Sequence, residues 1–195
     1  MRLKIGTAAP SFTGTSLTGK TVSLEQYAGR KILLKFYRFA SCPICTLHLR
    51  EFIRRFDEVR ATGLTPVVVF HSPKEKIEEG YDPGLPFEIV VDPDKVAFKT
   101  YGVESSLRGM FTWDVMRDYA RAMAQGIFSR PFGHEGGIQG HPADFIIDER
   151  GTIVHARYGR NYADTLTVDG VLTLAKADLS RVTEPASRLL TAQGL

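Results

Sequence analysis

The 195-residue sequence has only two cysteines, Cys42 and Cys45. So few cysteines exclude a framework of several disulfides, by which many small secreted domains are stabilised. No stretch approaches the roughly 18 consecutive apolar residues of a membrane-spanning helix, so we expect no membrane partner. The start, MRLKIGTAAPSFTG, also lacks the long apolar segment of a secretory signal. These absences predict a cytoplasmic, reducing location.

The sequence has little excess charge of either sign. Its 25 basic and 22 acidic residues give a net charge of +3 and are interspersed along the chain. Without a basic stripe we expect no nucleic-acid partner. The hydrophobic fraction of 43% is ordinary for a soluble protein, and we predict a single domain over residues 1–195 with one sizeable core.

The two cysteines stand two residues apart, between an apolar stretch and a helical pattern. The stretch KILLKFYRF, residues 31–39, predicts a buried strand. After the cysteines, apolar residues recur at helical spacing and predict a helix over residues 45–61, with Pro43 in its first turn. In a reducing compartment, such a close pair is more often catalytic or metal-binding than a structural disulfide.

This placement predicts different properties for the two sulfurs. Unpaired amides and the positive end of the helix dipole favour an anion at Cys42, whose pKa should be low. Cys45 falls on the apolar stripe of the helix and should be the more buried sulfur. We therefore expect an exposed, acidic Cys42 beside a shielded Cys45, with Cβ atoms about 3.5–4.5 Å apart. Such a dithiol can attack a disulfide and then resolve the mixed intermediate.

The rest of the chain alternates between strand-like and helix-like segments. LTPVVVF and PFEIVVDP predict strands, and ADFIIDERGTIVHARYG predicts an antiparallel hairpin that turns at residues 149–151. Ser72 and Pro73 predict the cap and first residue of a helix. The order of the elements predicts an α/β fold with a mixed central sheet and helices on both faces.

Residues 103–140 resemble an insertion before the hairpin. Within it, TWDVMRDYARAMAQG predicts a helix. Its stripe of Trp113, Met116, Tyr119 or Ala120, and Met123 is interpreted as a packing face.

Two segments resemble the redox centre of thioredoxin-fold proteins. The strand-CPIC-helix unit resembles their active centre, and HPADFIIDERG resembles their cis-proline segment. This resemblance implies a cis bond at His141-Pro142, with Pro142 shaping a substrate groove beside the cysteines. The start is similar to that of the AhpC/TSA peroxiredoxin superfamily, in which G-x-x-A-P-x-F and L-x-G-x-x-V-S-L precede the active strand. Taken together, the resemblance covers most of the chain.

The chain departs from that family where a peroxidase would need its polar groups. Aligned on the family pattern P-x-x-x-T-P-x-C, FYRFASCPIC puts the peroxidatic cysteine on Cys45. Cys42 replaces the threonine, and Arg38 replaces the first proline. The family's peroxide-activating arginine aligns with Pro142. These departures favour dithiol exchange over peroxide chemistry.

The prediction is a thiol-disulfide oxidoreductase in which Cys42 attacks, Cys45 resolves and Pro142 shapes the groove. An external thiol would recharge it, without a metal, flavin or other cofactor. A first alternative is a thiol peroxidase in which Cys45 attacks a hydroperoxide and Cys42 resolves. A second is a redox-inert binding or scaffold domain on the same fold. The sequence leaves open whether the protein forms a homodimer.

The same residues also have interpretations without a role in redox chemistry. The two cysteines could be small buried apolar residues, or zinc ligands together with His134 and His141, although no second compact ligand pair is present. We expect His141, His71 and Arg38 to be packing or surface residues.

Overall fold

The computed structural model describes residues 1–103, 109, 111–128, 135 and 140–183, with side chains described as far as residue 177. The strands are β1 Thr13–Ser16, β2 Thr21–Ser23, β3 Lys31–Phe36, β4 Leu64–Phe70, β5 Glu88–Val91, β6 Ala143–Ile147 and β7 Ile153–Tyr158. The α-helices are α1 Pro43–Arg54, α2 Phe56–Arg60, α3 Lys74–Glu78, α4 Val96–Thr100, α5 Trp113–Ala124 and α6 Val168–Thr183. A 3-10 turn, Leu24–Tyr27, follows β2.

The strands form one mixed sheet in the order β2-β1-β5-β4-β3-β6-β7. The central strands β3, β4 and β5 run parallel to one another, and β6 runs antiparallel to β3. The predicted hairpin is the antiparallel pair of β6 and β7. The α/β prediction with a mixed central sheet is thus confirmed. No helix in the described part of the chain is long and apolar enough to cross a membrane.

Two apolar clusters cover the two faces of the sheet, because successive strand residues point to opposite sides. On β3, Leu33 lies in one cluster, whereas Leu34 and Phe36 lie in the other. The first cluster includes residues of α1, α2, α3 and α6. The second includes Ala97 and Phe98 of α4. The helices therefore lie on both faces, as predicted.

A buried ion pair joins strand β3 to strand β6, the first strand of the hairpin. Lys35 of β3 and Asp144 of β6 are register partners, and their side chains are 1% exposed. The Lys35 ammonium also donates to the Leu166 carbonyl at 2.9 Å. Asp144 accepts from the Leu166 amide at 2.6 Å and contacts the Thr165 hydroxyl at 3.2 Å. Every charge in this group has a partner.

Several predicted boundaries are wrong. Strand β3 ends at Phe36 rather than residue 39, and the predicted helix over residues 45–61 is instead two helices with a break at Arg55. Pro73 is the N-cap of α3, and Ser72 precedes it. The hairpin of β1 and β2 was not predicted, because the short segments TGTS and TVS carry too few apolar residues to show a strand period.

The helix predicted in the insertion exists as α5, but its packing face is wrong. Trp113, Met116 and Met123 are 81%, 56% and 47% exposed. The helix instead packs on α1 through a different face, whose buried members are Val115, Asp118 and Ala122. Asp118 can be buried there because His48 of α1 contacts its carboxylate at 3.1 Å. That partner lies 70 residues away, so helical periodicity could not reveal it.

Candidate active site

The sheet brings three segments to one end, and two of them carry predicted site residues. Because β3 and β4 are parallel, the segments that follow them, with Cys42 and His71, leave the sheet at the same end. Strand β6 is antiparallel to β3, and its first residue pairs with the last residue of β3. Pro142, directly before β6, therefore lies at this end too.

Cys42 caps the N-terminus of α1. Its backbone is extended and its sulfur accepts a hydrogen bond from the Cys45 amide at 3.4 Å. Pro43 occupies the first helical turn, where its missing N–H costs no hydrogen bond. The Cys45 thiol also donates to the Cys42 sulfur. Cys42 thus receives donors from the helix end and from the second cysteine.

Arg38 supplies a positive charge to the same sulfur. Its Nη1 atom lies 3.5 Å from the Cys42 Sγ, and the side chain is only 4% exposed. The Arg38 Cζ atom lies 3.5 Å from the centroid of the Tyr162 ring, so the guanidinium is stacked on an aromatic face. This contact fixes the guanidinium beside the thiol.

The surroundings shift the pKa values of the two cysteines in opposite directions. Burial raises the pKa of Cys42, but the Cys45 thiol, the Arg38 charge and the first-turn amides outweigh it and lower this pKa to about 6. Burial raises the pKa of Cys45, and the hydrogen bond and charge of Cys42 raise it further, well above its ordinary value. At neutral pH, the centre therefore holds a Cys42 thiolate and a Cys45 thiol.

One expectation for these sulfurs is confirmed, and the predicted difference in their exposure is wrong. The pKa of Cys42 is lowered, as predicted. Cys45 is buried, at 3% exposed, but it is not the more buried sulfur, because the residues around the start of α1 cover Cys42 to 2% exposed. Both cysteines are free thiols within hydrogen-bond contact. Their Cβ separation stays a prediction.

The predicted cis bond at His141-Pro142 is also wrong, because the described part of the chain has no cis peptide bond. The trans isomer of an X-Pro bond is favoured by about 0.5–1 kcal/mol. Here, Gly159 holds the trans segment: its amide donates to the Pro142 carbonyl, and its carbonyl accepts from the His141 ring, each at 2.8 Å. The role of Pro142 in substrate binding stays a prediction.

A second polar group lies on the other side of the cysteine segment. The Glu135 carboxylate accepts from the Ser41 amide at 3.3 Å and from the Ser72 hydroxyl at 2.8 Å. The Glu135 carbonyl accepts from the His71 ring at 3.0 Å. These contacts anchor the backbone directly before Cys42. Burial, with Lys95 and Arg38 nearby, lowers the pKa of His71 to about 4.

The zinc interpretation receives no support from the described residues. Among them, no group of three or more His, Cys, Asp or Glu side chains could hold a metal ion. His134 lies outside the described residues. The ring of His141 is buried and occupied by its contacts with Gly159 and Tyr162, as expected of a packing residue.

The role of Arg38 was not predicted from the sequence. Arg38 was interpreted as a packing or surface residue, yet it contacts the reactive sulfur. Its position four residues before Cys42 was a signal, since a basic residue at the end of the strand can turn back on the helix start. Tyr162, which holds Arg38, lies 124 residues after it in the chain and gave no local signal.

Comparisons with known proteins agree on one group. A family model described as the AhpC/TSA family matches residues 5–156, which include both cysteines and Pro142. A Mycobacterium tuberculosis H37Rv protein that carries the name peroxiredoxin is 29% identical over 160 residues, covering 80% of this chain and 86% of that protein. Peroxiredoxin Bcp of Escherichia coli K12 is 28% identical over 110 residues, covering 55% of this chain and 70% of that protein.

Two solved structures share the architecture. Peroxidoxin BcpB from Mycobacterium tuberculosis aligns with a TM-score of 0.66 at 16% identity, over 90% of this chain and 98% of that one. The reduced 2-Cys peroxiredoxin of Plasmodium vivax aligns with a TM-score of 0.66 at 17% identity, over 94% of this chain and 88% of that one. The likeness confirms the predicted thioredoxin-like fold.

Proposed function

The chain belongs to the AhpC/TSA family of thiol-dependent oxidoreductases, and we propose that it reduces small hydroperoxides, with Cys42 attacking and Cys45 resolving. The observation that carries this proposal is the contact of 3.5 Å between the Arg38 guanidinium and the Cys42 sulfur. A buried thiolate with a fixed cation beside it is a nucleophile at neutral pH.

The first step transfers one oxygen atom. The Cys42 thiolate attacks the terminal oxygen of R–O–OH, the O–O bond breaks, and Cys42 becomes a sulfenic acid. The departing alkoxide takes up a proton and leaves as R–OH. Arg38, held against Tyr162, is placed to stabilise the negative charge that moves from sulfur to the departing oxygen.

The second step forms a disulfide. The Cys45 sulfur attacks the Cys42 sulfur, the S–O bond breaks, and the hydroxide leaves as water with the proton of Cys45. The negative charge of Cys42 is among the causes that raise the pKa of Cys45. That charge disappears when Cys42 becomes a sulfenic acid, so the first step itself makes Cys45 easier to deprotonate. An external thiol then reduces the disulfide with two electrons.

Burial supports a hydroperoxide over a bulky disulfide as the substrate. Cys42 is 2% exposed, and a protein disulfide must bring its own sulfur into line with the attacking one. A hydroperoxide has a small reacting end and needs a smaller opening. Pro142, at the same end of the sheet, is then expected to form part of the wall around this opening.

Thiol-disulfide exchange is the second candidate, because the Cys45 thiol is in hydrogen-bond contact with the Cys42 sulfur. Such a pair can reduce a small disulfide by the same order of attack, Cys42 first. The peroxidase in which Cys45 attacks first is disfavoured, since the raised pKa of Cys45 leaves it protonated at neutral pH. The pattern of the family nevertheless aligns its peroxidatic cysteine with Cys45, so the order of attack requires a direct test.

Mass spectrometry of single-cysteine variants after stoichiometric hydrogen peroxide tests the assignment. We expect Cys45→Ser to consume one equivalent and hold a sulfenic acid on Cys42, and Cys42→Ser to react far more slowly. Ser41→Ala is the matched control, because its hydroxyl has no hydrogen-bond partner among the described residues, and it should form the Cys42–Cys45 disulfide like wild type. Rapid oxidation of Cys45 in Cys42→Ser would refute the assignment. Faster reaction of wild type with hydroxyethyl disulfide than with peroxide would favour the second candidate.

A further inference from the structure

A groove rich in arginine lies between helices α1 and α5. Its volume of about 360 Å³ falls within the range of small-molecule sites, roughly 300–1,000 Å³. Six residues from the two helices line this α1–α5 groove: Leu47, Arg50, Glu51, Arg54, Arg121 and Gln125. Arg50 and Arg54 are four residues apart on α1, and Arg121 and Gln125 are four residues apart on α5, so each pair shares one helix face. Hydrogen-bond donors therefore line the same space from both helices.

The two arginines on the α1 side have no carboxylate partner. Arg50 and Arg54 are exposed, and neither forms an ion pair with any side chain in the described part of the chain. The charge of Arg54 acts on Glu58, but that carboxylate is bound to Arg55 at 2.8 Å. Several other arginines differ in having a carboxylate oxygen at 3.1 Å or less, namely Arg55, Arg60, Arg117, Arg150 and Arg160. The donors of Arg50 and Arg54 are therefore available to a ligand.

The other two charges of the α1–α5 groove already have partners of opposite sign. The Arg121 guanidinium lies 3.5 Å from the Asp118 carboxylate. The Glu51 carboxylate lies 3.8 Å from the guanidinium of Arg55. The unopposed charge of the groove is therefore that of the two α1 arginines. A cleft whose unopposed charges have one sign concentrates ions of the opposite sign, so the groove favours an anion.

We propose that the α1–α5 groove binds a small molecule that carries a phosphate or pyrophosphate group. A planar guanidinium donates two parallel hydrogen bonds to phosphate oxygens, and Arg50 and Arg54 together match a group with two negative charges. Gln125 on the facing helix adds an amide donor. The donors surround one cavity, which favours a compact anion. A nucleic acid would need an extended basic stripe, and an acidic peptide would need cations spread along its length.

The α1–α5 groove lies on a different face of α1 from the redox centre. Arg50 follows Cys45 by five residues, which at about 100° per residue places it about 140° around the helix. Cys45 belongs to the main core cluster, whereas Leu47 of the groove packs against Ala122 and Ile127. A phosphate group in the groove would therefore not contact the reactive sulfur. The proposal is independent of which substrate the cysteines reduce, and its test measures binding rather than turnover.

Isothermal titration calorimetry of the reduced full-length chain tests the site, with pyrophosphate and inorganic phosphate as probes. We expect one site, tighter binding of pyrophosphate than of phosphate, and an affinity that falls as salt is added. Arg50→Gln and Arg54→Gln should each raise the dissociation constant for pyrophosphate about tenfold or more, because each removes charged hydrogen bonds. Arg121→Gln should have a smaller effect, because Asp118 already opposes that charge.

Arg30→Gln is the matched control, because Arg30 is exposed and also forms no ion pair in the described part of the chain. It removes the same charge outside the groove and should leave the dissociation constant within about twofold. Arg50→Lys keeps the charge without the planar fork and should bind pyrophosphate more weakly than wild type. Circular dichroism checks that each variant is folded. Three results would overturn the proposal: no binding of pyrophosphate at about 10 mM, equal losses in Arg30→Gln and Arg50→Gln, or tighter binding of a polyglutamate peptide than of pyrophosphate.

Discussion

The protein buries charged groups in two places that lie close together. The partners of these charged groups differ between the two places. Lys35 faces Asp144, and the Leu166 backbone and the Thr165 hydroxyl complete the contacts of both ions. Three residues along the chain, Arg38 faces Cys42, a group that carries charge only when it has lost a proton. Both centres are almost wholly buried.

The difference separates charge that holds the fold together from charge that serves a reaction. Lys35 and Asp144 are matched by each other and by neighbouring polar groups within the protein, so nothing is left for a substrate. The charge on Cys42 depends on its neighbours, and the proposed reaction removes it. We therefore expect substitutions in the first centre to change stability, and substitutions in the second to change reactivity.

The largest effect should come from breaking the pair of Lys35 and Asp144. Asp144→Ala leaves the Lys35 ammonium buried without its counter-ion, and we expect the free energy of unfolding to fall by about 3–5 kcal/mol. Urea denaturation measures this loss. The double variant Lys35→Met/Asp144→Leu is the control, and because it removes both charges it should recover most of the stability. A loss below about 1 kcal/mol in Asp144→Ala would mean that this pair does not hold the strands together.

His71 gives a smaller, pH-dependent effect beside the reactive centre. In the unfolded chain it takes up a proton near pH 6.5, whereas burial holds the folded pKa at about 4. Between these values the unfolded state binds more protons, so stability rises with pH and is lost as the pH falls. We expect a loss of about 2–3 kcal/mol between pH 7 and pH 4.5 from this residue.

The control for His71 is His71→Asn, which keeps a donor for the Glu135 carbonyl but does not titrate. Its free energy of unfolding should depend less on pH over the same range than that of wild type. Equal pH dependence in the two proteins would show that folded His71 takes up its proton normally.

The sequence predicted the parts of the molecule that local patterns determine. The strand at residues 64–70, the hairpin strands and the start of the redox helix follow from short apolar runs, turn residues and a proline in the first helical turn. The low pKa of Cys42 also follows locally, since the amides of Cys45 and Ile44 belong to the same helical turn. These features require no knowledge of distant residues.

Features that depend on distant partners were missed or wrong. Arg38 is fixed by Tyr162, and α5 is oriented by the pairing of Asp118 with His48. Helix α5 has two faces that could pack, and the sequence favoured the larger one with Trp113. The fold buried the smaller one instead, because a partner for its aspartate was available on α1.

The smallest expected effect comes from substituting Arg38, which lies beside the reactive Cys42. Arg38→Met keeps much of the side-chain volume and removes the charge next to Cys42. We expect the pKa of Cys42 to rise from about 6 by about one unit, because only one of its several stabilising contacts is lost. Ultraviolet absorbance of the thiolate, titrated in a Cys45→Ser background with and without Arg38→Met, measures this shift. The free energy of unfolding should change far less than in Asp144→Ala.

The pH dependence of the reaction with peroxide then separates two roles of Arg38. If Arg38 only lowers the pKa of Cys42, the variant should match wild type at about pH 9, where Cys42 is ionised in both proteins. We expect a deficit to persist there, because the guanidinium also faces the charge that moves onto the departing oxygen. Arg38→Lys, which keeps the charge but cannot stack on Tyr162 in the same way, should restore the pKa more fully than the rate. An unchanged pKa in Arg38→Met would show that the helix start alone produces the thiolate, and the contrast between the two buried centres would then not rest on Arg38.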